Sequence, residues 1–311
     1  MRPAWLTCGV DELARLRELI TRHAGEGVTR TALPGVSVIC SPTTTEPLGE
    51  VAEPALAVVA QGVKKTALNG RTFAYGAGQF AILSVELPVI GHIAQASAGE
   101  PLLAFVLELR PERIAALLLE TAPAATARRG AVDATPAGLA VSDASPALLD
   151  ATGRLLALLD APRDAAALAA GVEREVLWRL VTGPQGATVR QIGLADSRLA
   201  HLARAIRRIR GHYDETLRVE ELAALATMSV SSFHRHFRAV TAMTPIQFQK
   251  QIRLHEARAR LVADPGDVAG VGFAVGYDSP SQFSREYRRM FGAPPSRDAL
   301  ALREAAALPS M

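Results

Sequence analysis

The stretch GYDSPSQFSREYRRMFGAPP, residues 276–295, decides how the chain is read. It opens on a glycine, the residue that tolerates the positive φ a chain needs on leaving a helix. Ser279 followed by Pro280 supplies a capping hydroxyl and a first-turn proline, which together start a new helix. On that helix Phe283 and Tyr287 stand four apart on one face, and Ser281 and Arg285 stand four apart on another. One side is apolar and suited to burial. The other carries the hydrogen-bonding groups that can reach base edges in a DNA major groove.

The same pattern occurs about fifty residues upstream, in LRVEELAALATMSVSSFHRHFRAV, residues 217–240. Leu222, Ala223 and Leu225 seed a first helix, Thr227-Met228 turns the chain, and Ser229 caps a second helix. Phe233 and Phe237 repeat the buried pair. Ser231 and Arg235 repeat the exposed pair, with His234 beside them and Arg238 one turn on. The downstream copy begins at Asp267, with Val268, Val271 and Phe273 expected on the packing side of its first helix. Gly272 is a poor helix residue, and close helix contact is the reason expected for it. Both copies therefore read as helix-turn-helix units with the polar face in phase. Arg238, Arg288 and Arg289 are placed on phosphates, contacts that position without specifying.

Between the copies lies MTPIQFQKQIRLHEARARLVAD, in which Thr244-Pro245 again reads as cap and first turn. Residues 246–261 form a helix of roughly 24 Å at ~1.5 Å per residue, with Ile252, Leu254, Ala257 and Leu261 for packing. Such a spacer can hold two reading helices about one DNA turn, ~34 Å, apart. Phe233, Phe237, Phe283, Tyr287 and Phe291 share the buried stripe, so they read as core and not as a stacking platform for single strands.

The first part of the chain has another rhythm. From Leu33 to about Leu109 short apolar runs (VSVIC, ALAVVA, FAILSV, LLAFVLEL) alternate with glycine turns, the pattern of an all-β domain. KKTALNGRTFAYG reads as a hairpin with Asn69-Gly70 at its tip. Pro88 should mark a strand break or a sheet edge. After Arg110 the period becomes helical in PERIAALLLE. Residues 121–145 are rich in Ala, Thr, Pro and Gly and read as a loop. ASPALLDATGRLLALL, EREVLWRLV and DSRLAHLARAIRRIRGHY read as helices, the last with Leu199, Leu202, Ala203, Ile206 and Ile209 on one side. The boundary falls between 184 and 200, giving domains 1–190 and 191–311.

Charge follows the same division. Of 34 Lys/Arg and 31 Asp/Glu in 311 residues, residues 201–311 hold 16 and 11, a net of +5, which leaves −2 for the rest. A basic module on a slightly acidic body fits a nucleic-acid-binding part joined to a second function. No run of about 18 apolar residues suggests a membrane span. The N-terminal segment has no hydrophobic signal core, so a cytoplasmic site is expected. Cys8 and Cys40 make neither a disulfide framework nor a metal motif, and no basic partner can be placed beside either. Cys40 reads as a small apolar residue. His234 and His236, two apart on a helix, diverge, and His92 is the one histidine of residues 31–110, so no metal cluster is expected. Glu46, Glu50 and Glu53 read as surface charges.

Residues 214–298 resemble the DNA-binding domain of the AraC/XylS family of bacterial transcription regulators. The resemblance is carried by LAALATMSVSSFHRHFR, TPIQFQKQIRLHEARARL and VGYDSPSQFSREYRRMFGAPP. EPALAVVAQGVKKTALNGRTFAYGAGQFAILSVELPVIG and EPLLAFVLELRPERIAALLLE resemble the N-terminal domain of one branch of that family. These resemblances imply a two-domain α+β chain, a cupin-like β-barrel with helices followed by an all-α domain of seven helices with two helix-turn-helix units. They imply base-edge contacts at Ser231, His234 and Arg235, and at Ser281, Ser284 and Arg285. Gly272 stands where the family usually has alanine, and Ser231 where some members carry a longer side chain. The function implied is a sequence-specific DNA-binding regulator controlled by a small-molecule or protein signal. Its implied mode is activation through RNA polymerase, although occluding a promoter would repress. Double-stranded promoter DNA, RNA polymerase, a small-molecule effector and a second copy of the chain are the candidate partners. No cofactor, metal, catalytic residue or membrane is expected. The rival readings are a cupin-type enzyme with an accessory helical domain and a ligand-free dimerisation module on a DNA-binding half.

Overall fold

The computed structural model describes residues 4–121, 137–264 and 266–307, with side chains from 11 to 303. The chain divides into two compact units, Met1–Ala203 with Ala239–Ala242 and Arg204–Arg238 with Met243–Met311.

The first unit opens with helix α1 (Ala4–His23), which had no counterpart in the sequence reading. Among the described residues ten strands follow: β1 (Gly27–Arg30), β2 (Val36–Ser41), β3 (Leu48–Ala52), β4 (Ala55–Gln61), β5 (Val63–Leu68), β6 (Arg71–Gly76), β7 (Gln79–Leu83), β8 (Leu87–Gln95), β9 (Leu102–Glu108) and, after helix α2 (Pro111–Thr121), β10 (Leu139–Asp143). Helices α3 (Pro146–Ala157), α4 (Pro162–Thr182) and α5 (Gly186–Gly193) complete the unit. The strands make two antiparallel sheets, β1-β2-β9-β4-β7-β10 and β3-β8-β5-β6, which hydrogen bonds do not close into one ring.

Alternation of side chains gives the larger sheet two different faces. Val38, Phe105 and Val58 sit opposite one another in register, are fully buried, and form a dense apolar face. The face carrying Ser37, Ala57 and Val106 looks into a cavity shared with the smaller sheet. Helix α1 packs on β2, β4 and β9, with Leu16 and Ile20 fully buried. Helix α3 lies against α1 and α4. There Arg154 donates to Asp150 at 2.8 Å and to Glu175 at 2.7 Å, and the bond from Arg154, joined by one from Arg179, outweighs burial and lowers the Glu175 pKa.

The hairpin β5–β6 closes as expected, with Asn69 at φ 46° and Gly70 at φ 82°, both positive as a type I′ turn requires. Pro88 is the second residue of β8. It pairs with Val51 of β3, while β5 pairs only from Ile90 onward. The missing N–H thus faces no ladder, which makes the site a local edge. The stretch expected as a loop holds a strand instead: β10 pairs with β7 from Leu139↔Leu83 to Asp143↔Gln79. Five residues at a sheet edge carry too little local pattern to announce themselves. Residues 122–136 of that stretch lie outside the described residues. Cys40, in β2, is half-buried, and burial followed by the charge of Glu26 pushes its thiol pKa up. The side chain of Cys8 lies outside the described residues.

The second unit is helical: α6 (Arg198–Gly211), which leads into it, then α7 (Val219–Leu225), α8 (Val230–Thr241), α9 (Pro245–Ala263), α10 (Val268–Ala274), α11 (Pro280–Phe291) and α12 (Pro295–Ala307). Helix α6 buries Leu199, Leu202, Ala205, Ile206 and Ile209; Ala203, expected on that side, is half-buried. Helix α9 is closed at its start by a capping box between Thr244 and Gln247. It supplies Phe248 and Ile252 toward one end of the core and Leu254, Ala257 and Leu261 toward the other. Rings gather at both ends, Phe237 against Phe248 at 5.5 Å and Tyr287 against Phe291 at 4.6 Å.

Gly62, between β4 and β5, carries the chain from one sheet to the other at φ +78°, and a Cβ there would lie 2.7 Å from the Gln95 carbonyl oxygen. Gly62→Ala should therefore cost about 2 kcal/mol, combining left-handed strain with a backbone clash. Urea unfolding checks this; an unchanged midpoint would contradict it.

Candidate functional site

Two helix-turn-helix units are built by one backbone recipe. Helix α7 ends on Thr227 at φ 53°, and α10 ends on Gly276 at φ 86°. In the first copy the Met228 N–H closes on the Ala223 carbonyl; in the second the Tyr277 N–H closes on Gly272, at 2.9 and 3.0 Å. These are the bonds of a left-handed helix end. Ser229 then accepts from the Ser232 N–H at 3.3 Å and Ser279 from the Gln282 N–H at 3.4 Å, starting α8 and α11 with a side-chain cap.

The capped helices present the two faces anticipated for them. Phe233, Phe237, Phe283 and Tyr287 are fully buried. Ser231, His234, Arg235 and Arg238 on α8, and Ser281, Arg285, Arg288 and Arg289 on α11, are exposed; Ser284 is half-buried. Arg235 donates to the Ser232 hydroxyl at 3.5 Å. Arg238, Arg285, Arg288 and Arg289 form no ion pair among the described residues, so their charge is available to an external anion. His234 is exposed while His236 is buried, and no group of three metal-ligating side chains occurs among the described residues.

Phe273 was expected in the core and is 55% exposed. It lies two residues beyond Val271, roughly 200° around a helix. Val275, fully buried, takes the inward place. Gly272 meets the Phe283 ring, 3.0 Å from where a Cβ would stand, which is the close contact anticipated for it. Leu225 likewise faces solvent while Leu222, Ala223 and Ala226 turn inward.

The supporting side chains were not singled out in the sequence. Arg253 of α9 donates through Nε to the Tyr213 carbonyl at 2.6 Å, and through its terminal nitrogens to Gly276 at 2.5 Å and Glu215 at 2.9 Å. Burial lowers its pKa. Gln249, one turn earlier, donates to Tyr213 and Glu215 at 3.0 and 2.8 Å. Their four-residue spacing on a helix was the available signal. Glu286 of α11 accepts from Lys250 at 2.8 Å, the Tyr277 hydroxyl at 2.9 Å and Gln282 at 3.2 Å. Asp298 takes a bidentate pair from Arg258 at 2.7 and 2.9 Å, and the Tyr287 hydroxyl at 2.8 Å. Burial, then Asp298, pushes the Tyr287 hydroxyl well above its ordinary pKa.

The first unit contains a second feature, the cavity between its sheets. It measures about 670 Å³ and is lined by Ser37, Ala57 and Val106 on one side and Lys64, Thr66 and Tyr75 on the other. That volume lies in the range of small-molecule sites. The Tyr75 and Thr66 hydroxyls, 3.1 Å apart, hydrogen-bond to each other.

A β-unit with a cavity between its sheets and a helical unit with two capped helix-turn-helix motifs define a two-domain protein of the nucleic-acid-binding helix-turn-helix class. Residues 32–188 match the family described as AraC-type transcriptional regulator N-terminus, and residues 222–299 match a helix-turn-helix domain. The chain belongs to the AraC-type transcriptional regulators. The MmsAB operon regulatory protein of Pseudomonas aeruginosa is 36% identical over 88 residues, covering 28% of this chain and 29% of that protein. CdhR of the same organism is 36% identical over 110 residues, covering 35% and 33%. RhaS of Escherichia fergusonii is 31% identical over 100 residues, covering 32% and 35%. The chain thus spans about a third of the length of these curated relatives. ToxT from Vibrio cholerae, solved with a bound unsaturated fatty acid, superposes with a TM-score of 0.53 at 9% identity, covering 86% of this chain and 94% of that one; the likeness is one of fold.

Two stability experiments follow from the motif. Thr227 carries a β-branched side chain at a left-handed position where the second copy has glycine. Thr227→Gly should stabilise the protein by about 1 kcal/mol in chemical unfolding, and destabilisation would show that the hydroxyl matters more than the strain. For Glu286, burial pushes the pKa up, but hydrogen bonds from Lys250, Gln282 and Tyr277 outweigh it and bring it below the ordinary 4.5. Its stabilisation is complete above pH 4.5 and is lost as pH falls through the lowered value. The stability gap between wild type and Glu286→Gln should narrow below pH 4.5; a gap constant down to pH 3 would contradict this.

Proposed function

We propose that the chain is a sequence-specific transcriptional regulator, with residues 191–311 reading promoter DNA and residues 1–190 sensing a small molecule. The observation that carries this is the repeated capped helix, each copy burying an aromatic pair and exposing hydrogen-bonding and basic groups in the same phase. Ser231, His234 and Arg235 meet base edges in one major-groove segment, and Ser281, Ser284 and Arg285 in the next. Arg238, Arg288 and Arg289 meet phosphates. Helix α9, 19 residues long, spans ~28 Å, a length compatible with two groove segments about one turn apart.

The cavity in the first unit is the effector site in this reading. That ToxT, a protein of this fold, is described with a bound unsaturated fatty acid favours a small-molecule effector. The curated relatives are regulators, one of them an activator, which favours regulation over catalysis and RNA polymerase as the further partner. Two reading helices on one chain make a second copy unnecessary for groove contact. The cytoplasm, where promoter DNA lies, is the working compartment; among the described residues no helix is long and apolar enough to cross a membrane.

Selection of genomic fragments by the purified protein, then salt titration on the best site, tests the reading. A motif of two half-elements about one turn apart is expected. Arg285→Ala should weaken binding by ~1–3 kcal/mol and relax preference at one base position. Arg288→Ala should weaken binding on every sequence and lower the salt slope by about 0.9. Uniform binding without an enriched motif, in the presence of effector, would overturn the proposal.

A further inference from the structure

We infer that the ligand of the intersheet cavity is a zwitterion of the amino-acid type, with its carboxylate on Lys64, its ammonium on Glu50 and an apolar body along the larger sheet. This rests on the reading of the cavity as the effector site. Lys64 and Glu50 both line the cavity. They come from β5 and β3, the two neighbours of β8 in the smaller sheet. Between them β8 carries Gly91. A Cβ on Gly91 would lie 3.8 Å from Lys64 Cε and 3.9 Å from Glu50 Oε1, so the missing side chain leaves a notch flanked by one cation and one carboxylate.

The two charges do not neutralise each other, since Lys64 forms no ion pair among the described residues. No ion pair joins them, yet both side chains border the space that a side chain at position 91 would fill. A plain anion on Lys64 would also face the Glu50 carboxylate, and a plain cation on Glu50 would face the Lys64 ammonium. A head group carrying both signs satisfies both. Lys64 is half-buried and Glu50 exposed, so the carboxylate end sits deeper and the ammonium nearer solvent. The remaining charged lining groups are Arg30, Glu53 and Glu108. All three are exposed, Glu108 already accepts from Arg110 at 3.1 Å, and Glu53 has a partner of its own. On the opposite wall Ala55, Ala57 and Val106 leave room for an apolar side chain, where burial of hydrocarbon adds affinity without direction.

The experiment is calorimetric titration of the full-length protein with the standard amino acids. The best of them is then compared with its deaminated carboxylic acid and its decarboxylated amine. An apolar reporter dye is titrated in parallel into wild type and Ala57→Trp, which fills the cavity. At least one amino acid should bind, and both half-charged analogues should bind at least about tenfold more weakly. Lys64→Met and Glu50→Gln should each weaken the amino acid by a similar factor, with unliganded melting temperatures near wild type. Because the analogue comparison uses wild-type protein, it stands even where a variant misfolds. A carboxylic acid that binds as well as its amino acid, with Glu50→Gln neutral, would overturn the zwitterion and leave the effector site standing. So would dye binding lost in Ala57→Trp without any amino-acid binding. Binding of neither dye nor amino acid would overturn both.

Discussion

Four backbone carbonyls, those of Tyr213, Asp214, Glu215 and Gly276, converge on the Arg253 guanidinium, and the helix-turn-helix unit depends on that convergence. Tyr213 and Glu215 belong to the segment that precedes α7; Gly276 belongs to the turn between α10 and α11. One side chain of α9 thus ties the entrance of the first motif to the corner of the second. A guanidinium suits this task because its donors diverge in a plane, whereas an ammonium presents a single point. Gly276 must lack a side chain to come so close, because the Asp214 backbone occupies the space a Cβ would need. Around that corner Glu286 gathers Lys250, Tyr277 and Gln282, so α9, α11 and the turn between α10 and α11 are cross-linked by polar groups above an apolar floor of Phe283 and Tyr287.

Much of the helical unit was legible because its signals are local. Ser279-Pro280 and Thr244-Pro245 announce helix starts, and aromatic pairs four apart announce a buried face. The family resemblance added the order of the parts. What stayed hidden depends on contacts distant in sequence. Arg253 looks like any basic residue on a helix until the carbonyls of Tyr213 and Gly276 arrive beside it. Phe273 misled because a two-turn helix offers few positions, and an aromatic among valines invites burial that Val275 in fact supplies. In the first unit the hairpin at Asn69-Gly70 could be read from two residues, while β10 could not be read from five. An edge strand takes its conformation from the ladder it joins, here Phe80 and Ile82 of β7. The cavity was equally invisible: Ala55 and Ala57 line it and leave volume by being small.

The two motifs share a backbone path but not its cost. The second copy places glycine at both left-handed corners, Gly276 and Gly292; the first uses Thr227 and Ala242. Left-handed geometry strains a residue with a Cβ, so the first copy stores strain that the second avoids. The first copy accordingly relies on its surroundings, among them the tilted and edge-on rings of Phe233, Phe237 and Phe248.

Helix α9 runs from Pro245 to Ala263 without an internal glycine or proline, and a capping box closes its start. It behaves as a gauge block: the interval between α8 and α11 is set by protein, not by a flexible tether. In the proposed mode of binding, a DNA site longer or shorter by one base pair would move one half-element ~3.4 Å along the axis and turn it roughly 36° about it. The helix cannot absorb that rotation, so the DNA would have to, by twisting or bending at a price that depends on the intervening sequence. Base pairs that no side chain touches would then be selected for their mechanics.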